Sequence, residues 1–359
     1  MTAPRTYFIA EAGVNHNGDR DLAFALVEGA ADAGADAVKF QTFDADLLAS
    51  ATVGKAGYQE QRTGAGESQR DMLRKLELPH DWHVELQAHA RARSIDFIST
   101  AFDPISLDML VGIGMPIVKV PSGELTNAPM VWRYANAGKP IVLSTGMATL
   151  SDVELALAVI SHAIHEVAEP RSIADVWRIW GDPDRRAALR GRVTILHCTT
   201  QYPAADSDVN LAAMRTLGDA FGLPVGYSDH SAGSTAAIAA VALGATVIEK
   251  HFTTDRSLPG PDHAASLEID ELTQLIACIR SVEVMRGDGV KVPQPSEWDM
   301  RRVARQKVVA ARPIARGAVL ERVDLTTARS GDGIDPAELW DMIGTVAPHD
   351  LAAGDVYRR

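Results

Sequence analysis

The sequence predicts an α/β protein: a (β/α)8 TIM barrel followed by a small, mostly β domain. Three observations carry that expectation. Eight apolar, strand-like runs alternate with helical stretches, polar residues cluster where those runs end, and the alternation stops at a Gly- and Pro-interrupted stretch after residue 285. An open doubly wound sheet is the structural alternative, but the chain carries neither a Gly-x-Gly-x-x-Gly turn nor a Walker loop. The count of eight favours the barrel.

The first two runs, 7–13 and 37–43, flank a helical stretch over 21–33. A helix around 82–93 leads to the third run, 96–100, and a short helix near 106–112 leads to the fourth, 117–120. The fifth and sixth, 140–146 and 193–199, are separated by a segment whose latter part, 165–192, reads as a helical insertion. Within that segment Trp177 and Trp180 read as packing residues; His162 and His165, on one helix face with no third ligand nearby, read as solvated. The seventh and eighth runs end in Gly226-Tyr227-Ser228-Asp229-His230 and Val247-Ile248-Glu249-Lys250-His251, with an alanine-rich helix over 232–245 between them. Strand, helix and strand form a βαβ unit whose two parallel strands end side by side. Two imidazoles placed there can share one divalent metal, with carboxylates, a hydroxyl and water in the remaining positions.

The other runs end in Glu11, Lys39 and Gln41, Thr100, Lys119 and Ser122, Ser144, and Thr199 and Thr200. In a barrel of this kind the catalytic groups gather at the carboxyl ends of the strands. Residues two apart share a strand face, so Ser228 with His230, Glu249 with His251, and Lys39 with Gln41 point together into the mouth. Lys250 then points outward and is left out of the site. A turn-rich loop, 254–263, lies beside the mouth as a lid or sugar-binding edge, and a closing helix spans 267–285. The expected division is a catalytic barrel over 1–285, a linker over 286–300 and the small domain over 301–359, with a helix at 336–342.

Composition narrows the function. With 35 Lys and Arg against 47 Asp and Glu, the net charge of −12 argues against a nucleic-acid backbone or an anionic membrane as partner. An anionic small substrate then needs locally placed cations. Two distant cysteines imply no disulfide framework, and residues 1–6 hold no basic-then-apolar signal segment. No uninterrupted apolar stretch is long enough to span a membrane. A cytoplasmic protein is expected.

Several phrases together resemble the sialic acid synthase family, which includes N-acetylneuraminate, legionaminate and pseudaminate synthases. They are Ala10-Glu11-Ala12-Gly13-Val14-Asn15-His16-Asn17-Gly18, Val38-Lys39-Phe40-Gln41-Thr42, Ile98-Ser99-Thr100, Lys119-Val120-Pro121-Ser122-Gly123-Glu124 and Leu143-Ser144-Thr145-Gly146-Met147. To these are added His197-Cys198-Thr199-Thr200-Gln201-Tyr202-Pro203, the phrases ending in His230 and His251, and Pro259-Gly260-Pro261-Asp262. The tail is similar to the family's antifreeze-like (SAF) domain, with Arg329-Ser330-Gly331-Asp332-Gly333 where an Arg-Pro-Gly-x-Gly pattern is usual.

The resemblance implies condensation of phosphoenolpyruvate with an open-chain N-acylated hexosamine and water, giving a nonulosonic acid and phosphate. It implies that His230 and His251 hold Mn2+ or Mg2+, and that Lys39, Thr100, Lys119, Ser122, Ser144, Thr200 and Ser228 bind phosphoenolpyruvate. Thr200 stands where some family members carry an asparagine. Glu11, Glu124 and Glu249 are the candidates for the general base, and Glu249 is equally suited to orienting a histidine. Gln41, which shares the Lys39 face, and Tyr202 and Asp262 fall at the sugar. Arg329 corresponds to an arginine that reaches the sugar from the partner in a domain-swapped homodimer. Two other functions compete: a metal-dependent barrel aldolase acting on a phosphorylated sugar, and a non-catalytic carbohydrate- or ice-binding protein using the tail. The first leaves the tail unexplained; the second leaves Lys39, Lys119, His230 and His251 without a task.

Overall fold

The computed structural model describes residues 5–358 apart from 51, 56, 58, 59, 61–63, 65 and 167. The chain divides into two compact units, Met1–Asp288 and Gly289–Arg359. In the first unit the strands are β1 (Tyr7–Gly13), β2 (Ala37–Thr42), β3 (Asp96–Ala101), β4 (Val118–Val120), β5 (Ile141–Ser144), β6 (Val193–Cys198), β7 (Val225–Asp229) and β8 (Val247–Thr253). They pair in parallel in the order β3-β2-β1-β8-β7-β6-β5-β4. Helices lie between successive strands, and the result is a nearly closed eight-stranded parallel barrel, with β3 and β4 as the two ends of the ladder path. A two-residue strand, β9 (Leu267–Glu268), runs parallel to the end of β8.

The strands hold because both their faces are covered. Phe8, Ile9, Ala10, Val38, Phe40, Ile98, Leu196 and Ile248 are fully buried or nearly so, and helices supply matching stripes such as Ala23, Leu26, Val27 and Ala30. The helix Arg20–Asp32 starts where the Asp19 carboxylate accepts the Leu22 N–H, and Leu150–His165 starts at a reciprocal Thr149–Asp152 capping box. β7 fits between its neighbours only because residue 226 is glycine: a Cβ there would stand 2.4 Å from the Val247 carbonyl oxygen and 2.5 Å from Leu196 Cδ2. This close approach packs the start of β7 against the start of β8.

Four expectations change: the solvation of His162, the packing of Trp177 and the bounds of two helices. His162 is buried rather than solvated, while His165 is exposed. Trp180 packs against the barrel core and its indole N–H reaches Glu154, but Trp177 is 40% exposed. The 165–192 insertion is helical as expected, its described residues holding two short helices, Ile173–Trp180 and Pro183–Ala187. Lys250 points away from the barrel interior, as expected, and is buried there, because the outer face of a barrel strand is roofed by helices rather than open to water. The alanine-rich helix is shorter than expected, Thr235–Ala242, and the closing helix begins later, at Ile269–Arg286.

The second unit has its own core of Val308, Ala310, Leu320, Leu325, Leu351 and Tyr357. Its antiparallel strands β10 (Gln306–Ala310) and β11 (Leu325–Arg329) put Arg329 opposite Gln306 at the end of the ladder, exposed. The 3-10 turn Pro295–Glu297 and the helix Trp298–Ala304 precede them, inside and just beyond the stretch expected as linker. Residues 336–342 form a 3-10 turn, Pro336–Glu338, followed by the helix Leu339–Met342. Among the described residues no helix is long and apolar enough to cross a membrane. Residues 1–4, part of the segment read for a signal peptide, lie outside the described residues.

Candidate active site

At the carboxyl ends of the strands a cavity opens into the barrel, floored by one layer of polar side chains and walled by the next. The floor is ionic. Lys39 Nζ, from β2, lies 2.5 Å from Glu11 Oε2 of β1 and 3.5 Å from Glu249 Oε2 of β8, and donates to Thr100 Oγ1 of β3 at 2.9 Å. Lys119, from β4, reaches Glu249 Oε1 at 3.4 Å, and Ser228 Oγ of β7 donates to the same oxygen at 2.7 Å. All these groups are buried.

Burial and charge sort the four ionisable groups. Burial works against the Lys39 charge, but Glu11 and Glu249 outweigh it and hold its pKa above the ordinary value. Lys119, with a longer contact to a single carboxylate, is lowered by burial. Burial pushes the Glu11 carboxyl up to about 7 against the pull of Lys39. Burial opposes the Glu249 charge too, but Lys119, Lys39 and the Ser228 hydroxyl together hold Glu249 ionised, well below the carboxylate range. One glutamate is thus a fixed anion and the other exchanges a proton near neutrality.

One layer higher stand the histidines. His230 Nδ1 lies 2.6 Å from the Thr199 carbonyl oxygen, which can only accept, so Nδ1 carries the proton and the lone pair sits on Nε2. Nε2 is 3.3 Å from Ser228 Oγ. His251 Nδ1 is buried with no hydrogen-bond partner among the described residues. The two rings are 5.7 Å apart between centroids. Tyr202 lies against His230 at 4.2 Å and meets His251 edge-on at 5.8 Å. Burial takes His230 down to about 4, and burial together with His230 and Lys39 lowers His251. Both rings are therefore neutral at physiological pH, the form that ligates a metal. Among the described residues no group of three or more His, Cys, Asp or Glu forms a metal cage. The pair fits an ion that takes two nitrogens from the protein and its remaining ligands from water and substrate.

The bulge in β1 completes this layer. The pairing with β2 slips between Glu11 and Gly13, and Gly13 adopts φ +54°. A Cβ at Gly13 would stand 3.3 Å from Glu11 Oε1, 3.3 Å from His251 Cε1 and 3.4 Å from Gln41 Nε2. Gln41 Nε2 is itself 3.4 Å from Glu11 Oε1. On another side Ser122 Oγ accepts the Gly146 N–H at 3.0 Å, and Ser144 Oγ is buried with no hydrogen-bond partner among the described residues. The loop after β8 brings in Asp262, whose carboxyl burial pushes up to about 6, and it is tied down by Asn17 Nδ2 donating to the Pro259 carbonyl at 2.8 Å.

Of the residues singled out from the sequence, the structure gathers Glu11, Lys39, Gln41, Thr100, Lys119, Ser122 and Ser144 around this one cavity, with Thr200, Tyr202, Ser228, His230, Glu249, His251 and Asp262. Glu124 is not among the lining residues; it lies on the turn Ser122–Glu124 and accepts from Asn127 Nδ2 at 2.6 Å. Arg329 belongs to the second unit. Sequence reasoning missed an apolar side of the mouth made by Val14, Met72, Leu73, Leu76 and Phe102. Val14 and Phe102 directly follow β1 and β3 and were findable on that ground; the other three come from a helix and turn inserted after β2. Also missed was the partner of Lys250, whose Nζ lies 2.9 Å from Asp229 Oδ2 and donates to the Ser231 carbonyl at 2.6 Å.

The chain is similar to known proteins over most of its length. The chain is 44% identical over 354 residues to the N,N'-diacetyllegionaminic acid synthase of Campylobacter jejuni, covering 99% of each chain. It is 42% identical over 348 residues to the enzyme of the same name from Legionella pneumophila, covering 97% of this chain and 92% of the other. Among solved structures, an N-acetylneuraminic acid synthetase from Leptospira borgpetersenii in complex with citrate superposes with a TM-score of 0.67 at 31% identity, covering 82% of this chain and 90% of that one. The NeuB family model matches residues 26–291 and the SAF domain model residues 305–356. The chain belongs to the NeuB family and carries a SAF domain after its barrel.

Proposed function

We propose that this protein condenses phosphoenolpyruvate with an open-chain N-acylated hexosamine and water, releasing a nine-carbon 2-keto acid of the nonulosonic type and inorganic phosphate. One observation carries the reading. In a chain 42% and 44% identical to two legionaminic acid synthases, a lysine-and-hydroxyl floor lies beneath two neutral imidazoles in a single cavity. Lys39 and Lys119, with Thr100, Ser122, Ser144, Thr200 and Ser228, offer cations and hydroxyls to a phosphate and a carboxylate in an otherwise acidic protein. His230 and His251 would hold a divalent ion, Mn2+ or Mg2+, which would supply Lewis-acid polarisation of the sugar aldehyde when bound.

The chain's own groups do the remaining work. The floor fixes phosphoenolpyruvate so that its C3 faces the aldehyde carbon, and the new C–C bond leaves C2 electron-poor. Water adds to C2, and its proton passes to Glu11, whose pKa of about 7 suits both taking and returning it. The aldehyde oxygen takes its proton from Glu11 and becomes a hydroxyl; the tetrahedral C2 then collapses, its hydroxyl proton passing to the phosphate as the C2–O bond to phosphorus's oxygen breaks and the ketone forms. Glu249 stays ionised throughout and holds Lys39, Lys119 and Ser228 in place. Glu124, tied to Asn127, has no part in this scheme. Gln41, Tyr202 and Asp262 meet the sugar. Arg329 completes the sugar end from a second copy in a swapped homodimer, and the free cysteines Cys198 and Cys278 suit the reducing cytoplasm.

The test is phosphate release from phosphoenolpyruvate with N-acylated hexosamine acceptors, before and after metal stripping. His251→Ala is expected to abolish turnover while leaving the thermal melt intact. Pyruvate formed without phosphate release would identify an aldolase instead and overturn the reading. For the dimer, mixing inactive Arg329→Ala and His251→Ala proteins restores activity only if the arginine crosses between copies.

A further inference from the structure

The phrase Asn15-His16-Asn17, just beyond β1, contributes no side chain to the cavity, yet Asn15 and His16 are fully buried. His16 Nδ1 accepts the Gly18 N–H at 3.0 Å, closing a tight turn in which Asn17 takes φ +51°, a conformation that asparagine tolerates better than most residues. From this turn Asn17 Nδ2 reaches the loop after β8 and donates to the Pro259 carbonyl at 2.8 Å. The loop seats closely there: a Cβ at Gly260 would stand 3.0 Å from Asn17 Oδ1 and 2.8 Å from His263 Cδ2.

Asn15 holds the other end of the same loop. Its Nδ2 donates to the Phe252 carbonyl of β8 at 2.8 Å and to Ser266 Oγ at 3.0 Å, which uses both amide hydrogens. Ser266 Oγ donates in turn to the Asp262 carbonyl at 2.8 Å. Asn15 and Ser266 are both buried, so water does not compete for these bonds. His263 Nδ1 lies 2.7 Å from Thr253 Oγ1, and the residue after Asp262 is thereby pinned to β8 as well. The Asp262 side chain stands in contrast. It lines the cavity and is 8% exposed, but its carboxyl accepts no hydrogen bond among the described residues. Its place in the site is set by its backbone, and the tethers that set that backbone come from Asn15, Asn17 and Ser266.

Resting on the placement of Asp262 at the sugar proposed above, we infer that Asn15, Asn17 and Ser266 are positioning residues for the condensation: the Asn15–Ser266–Asp262 relay and the Asn17–Pro259 tether hold the Asp262 carboxyl against the acceptor. None of the three lines the cavity, so each acts through Asp262. A displacement of about 1 Å at a group that orients substrate costs on the order of 100-fold in rate, and loss of one of several tethers costs less.

The experiment is a double-mutant cycle read by phosphate release from phosphoenolpyruvate. The acceptor is whichever of 2,4-diacetamido-2,4,6-trideoxymannose and N-acetylmannosamine the wild type turns over faster, and enzyme is supplied at concentrations that keep a slow background measurable. Ser266→Ala and, independently, Asn17→Asp should each lower kcat/KM for the acceptor about tenfold and leave the KM for phosphoenolpyruvate unchanged. Asn17 is half-buried, and aspartate keeps its size and backbone while losing the donor, which guards against a Ser266→Ala protein that fails to fold. In an Asp262→Ala background each change should cost less than about twofold, because no carboxyl remains to be positioned. A loss of the same size in both backgrounds, a matching rise in the KM for phosphoenolpyruvate, or wild-type kinetics in the folded variants overturns the relay and leaves the condensation standing. No phosphate release by the wild type with either sugar overturns both.

Discussion

Replacing Lys250 with methionine tests how the two histidines are kept together. Lys250 and Asp229 face each other in the β7–β8 ladder, each one residue before a site histidine. Their side chains are 1% and 0% exposed. The carboxylate is further engaged at Oδ1 by the Ser231 N–H at 2.9 Å and hydroxyl at 2.6 Å. Burial lowers the Lys250 pKa despite Asp229, so forming the pair contributes little net stability, but breaking it strands a buried anion. The expected loss for Lys250→Met is about 3–5 kcal/mol. In a unit of this size that corresponds to a fall in Tm of roughly 6–10 °C. Because each member of the pair directly precedes a site histidine, its loss is expected to lower affinity for a divalent ion about 10- to 100-fold. Thermal denaturation followed by circular dichroism reads the first quantity, and calorimetric Mn2+ titration reads the second. Asp229→Asn combined with Lys250→Met removes the stranded charge, keeps an acceptor for the Ser231 N–H, and should recover most of the lost Tm. A Lys250→Met protein melting within about 1 °C of wild type, well short of that shift, would refute the reasoning.

Three further outcomes are expected. Lys39→Met keeps the hydrocarbon stem but removes the cation between Glu11 and Glu249; the KM for phosphoenolpyruvate should rise about 10- to 100-fold, the equivalent of a lost charge-assisted hydrogen bond, and an unchanged KM would remove Lys39 from the anion floor. Asp262→Asn tests burial: the native carboxyl keeps its proton to about pH 6 while the unfolded chain releases it near 3.8, so wild-type stability falls as pH rises through that window. The variant lacks this slope and should be more stable than wild type by about 3 kcal/mol at pH 7.5, with no advantage at pH 3, so a stability difference independent of pH counts against it. Gly13→Ala should cost about 1–2 kcal/mol for its left-handed backbone and lower kcat/KM on the order of 100-fold by displacing His251 and Gln41; wild-type kinetics would show that the bulge tolerates a side chain.

Much of the barrel was legible because strands buried on both faces read as unbroken apolar runs with helical stretches between them. The ends were less so: Pro140 and Ile117 sit in such runs but outside the ladders of β5 and β4. Period-two alternation also placed Glu249 with His251 and Ser228 with His230 on the cavity side. The same alternation sent Lys250 outward, as the structure has it, and outward in a barrel means beneath helices. Asp229 is outward as well, so the register of β7 against β8 held the clue to the buried pair. His162 went wrong for a related reason: on the helix Leu150–His165 a histidine surrounded by Ile160, Ser161 and Ala163 belongs to the covered side. The apolar side of the mouth was the least legible element. Its three inserted members acquire meaning only when the segment after β2 folds back over the mouth, a long-range placement that local pattern does not encode.

The floor of the site has a consequence for how it fills. Glu11 and Glu249 are set against Lys39 and Lys119, so before substrate arrives the positive charges are already answered from within the protein. An incoming trianion upsets that balance, and the group best able to restore it is Glu11, half-titrated near pH 7. Docking of phosphoenolpyruvate and uptake of a proton from solvent are then one thermodynamic event, and affinity weakens as pH climbs past neutrality. The proton taken up on loading is then available to the aldehyde oxygen as the C–C bond forms, and giving it up returns Glu11 to the anion that accepts a proton from the adding water.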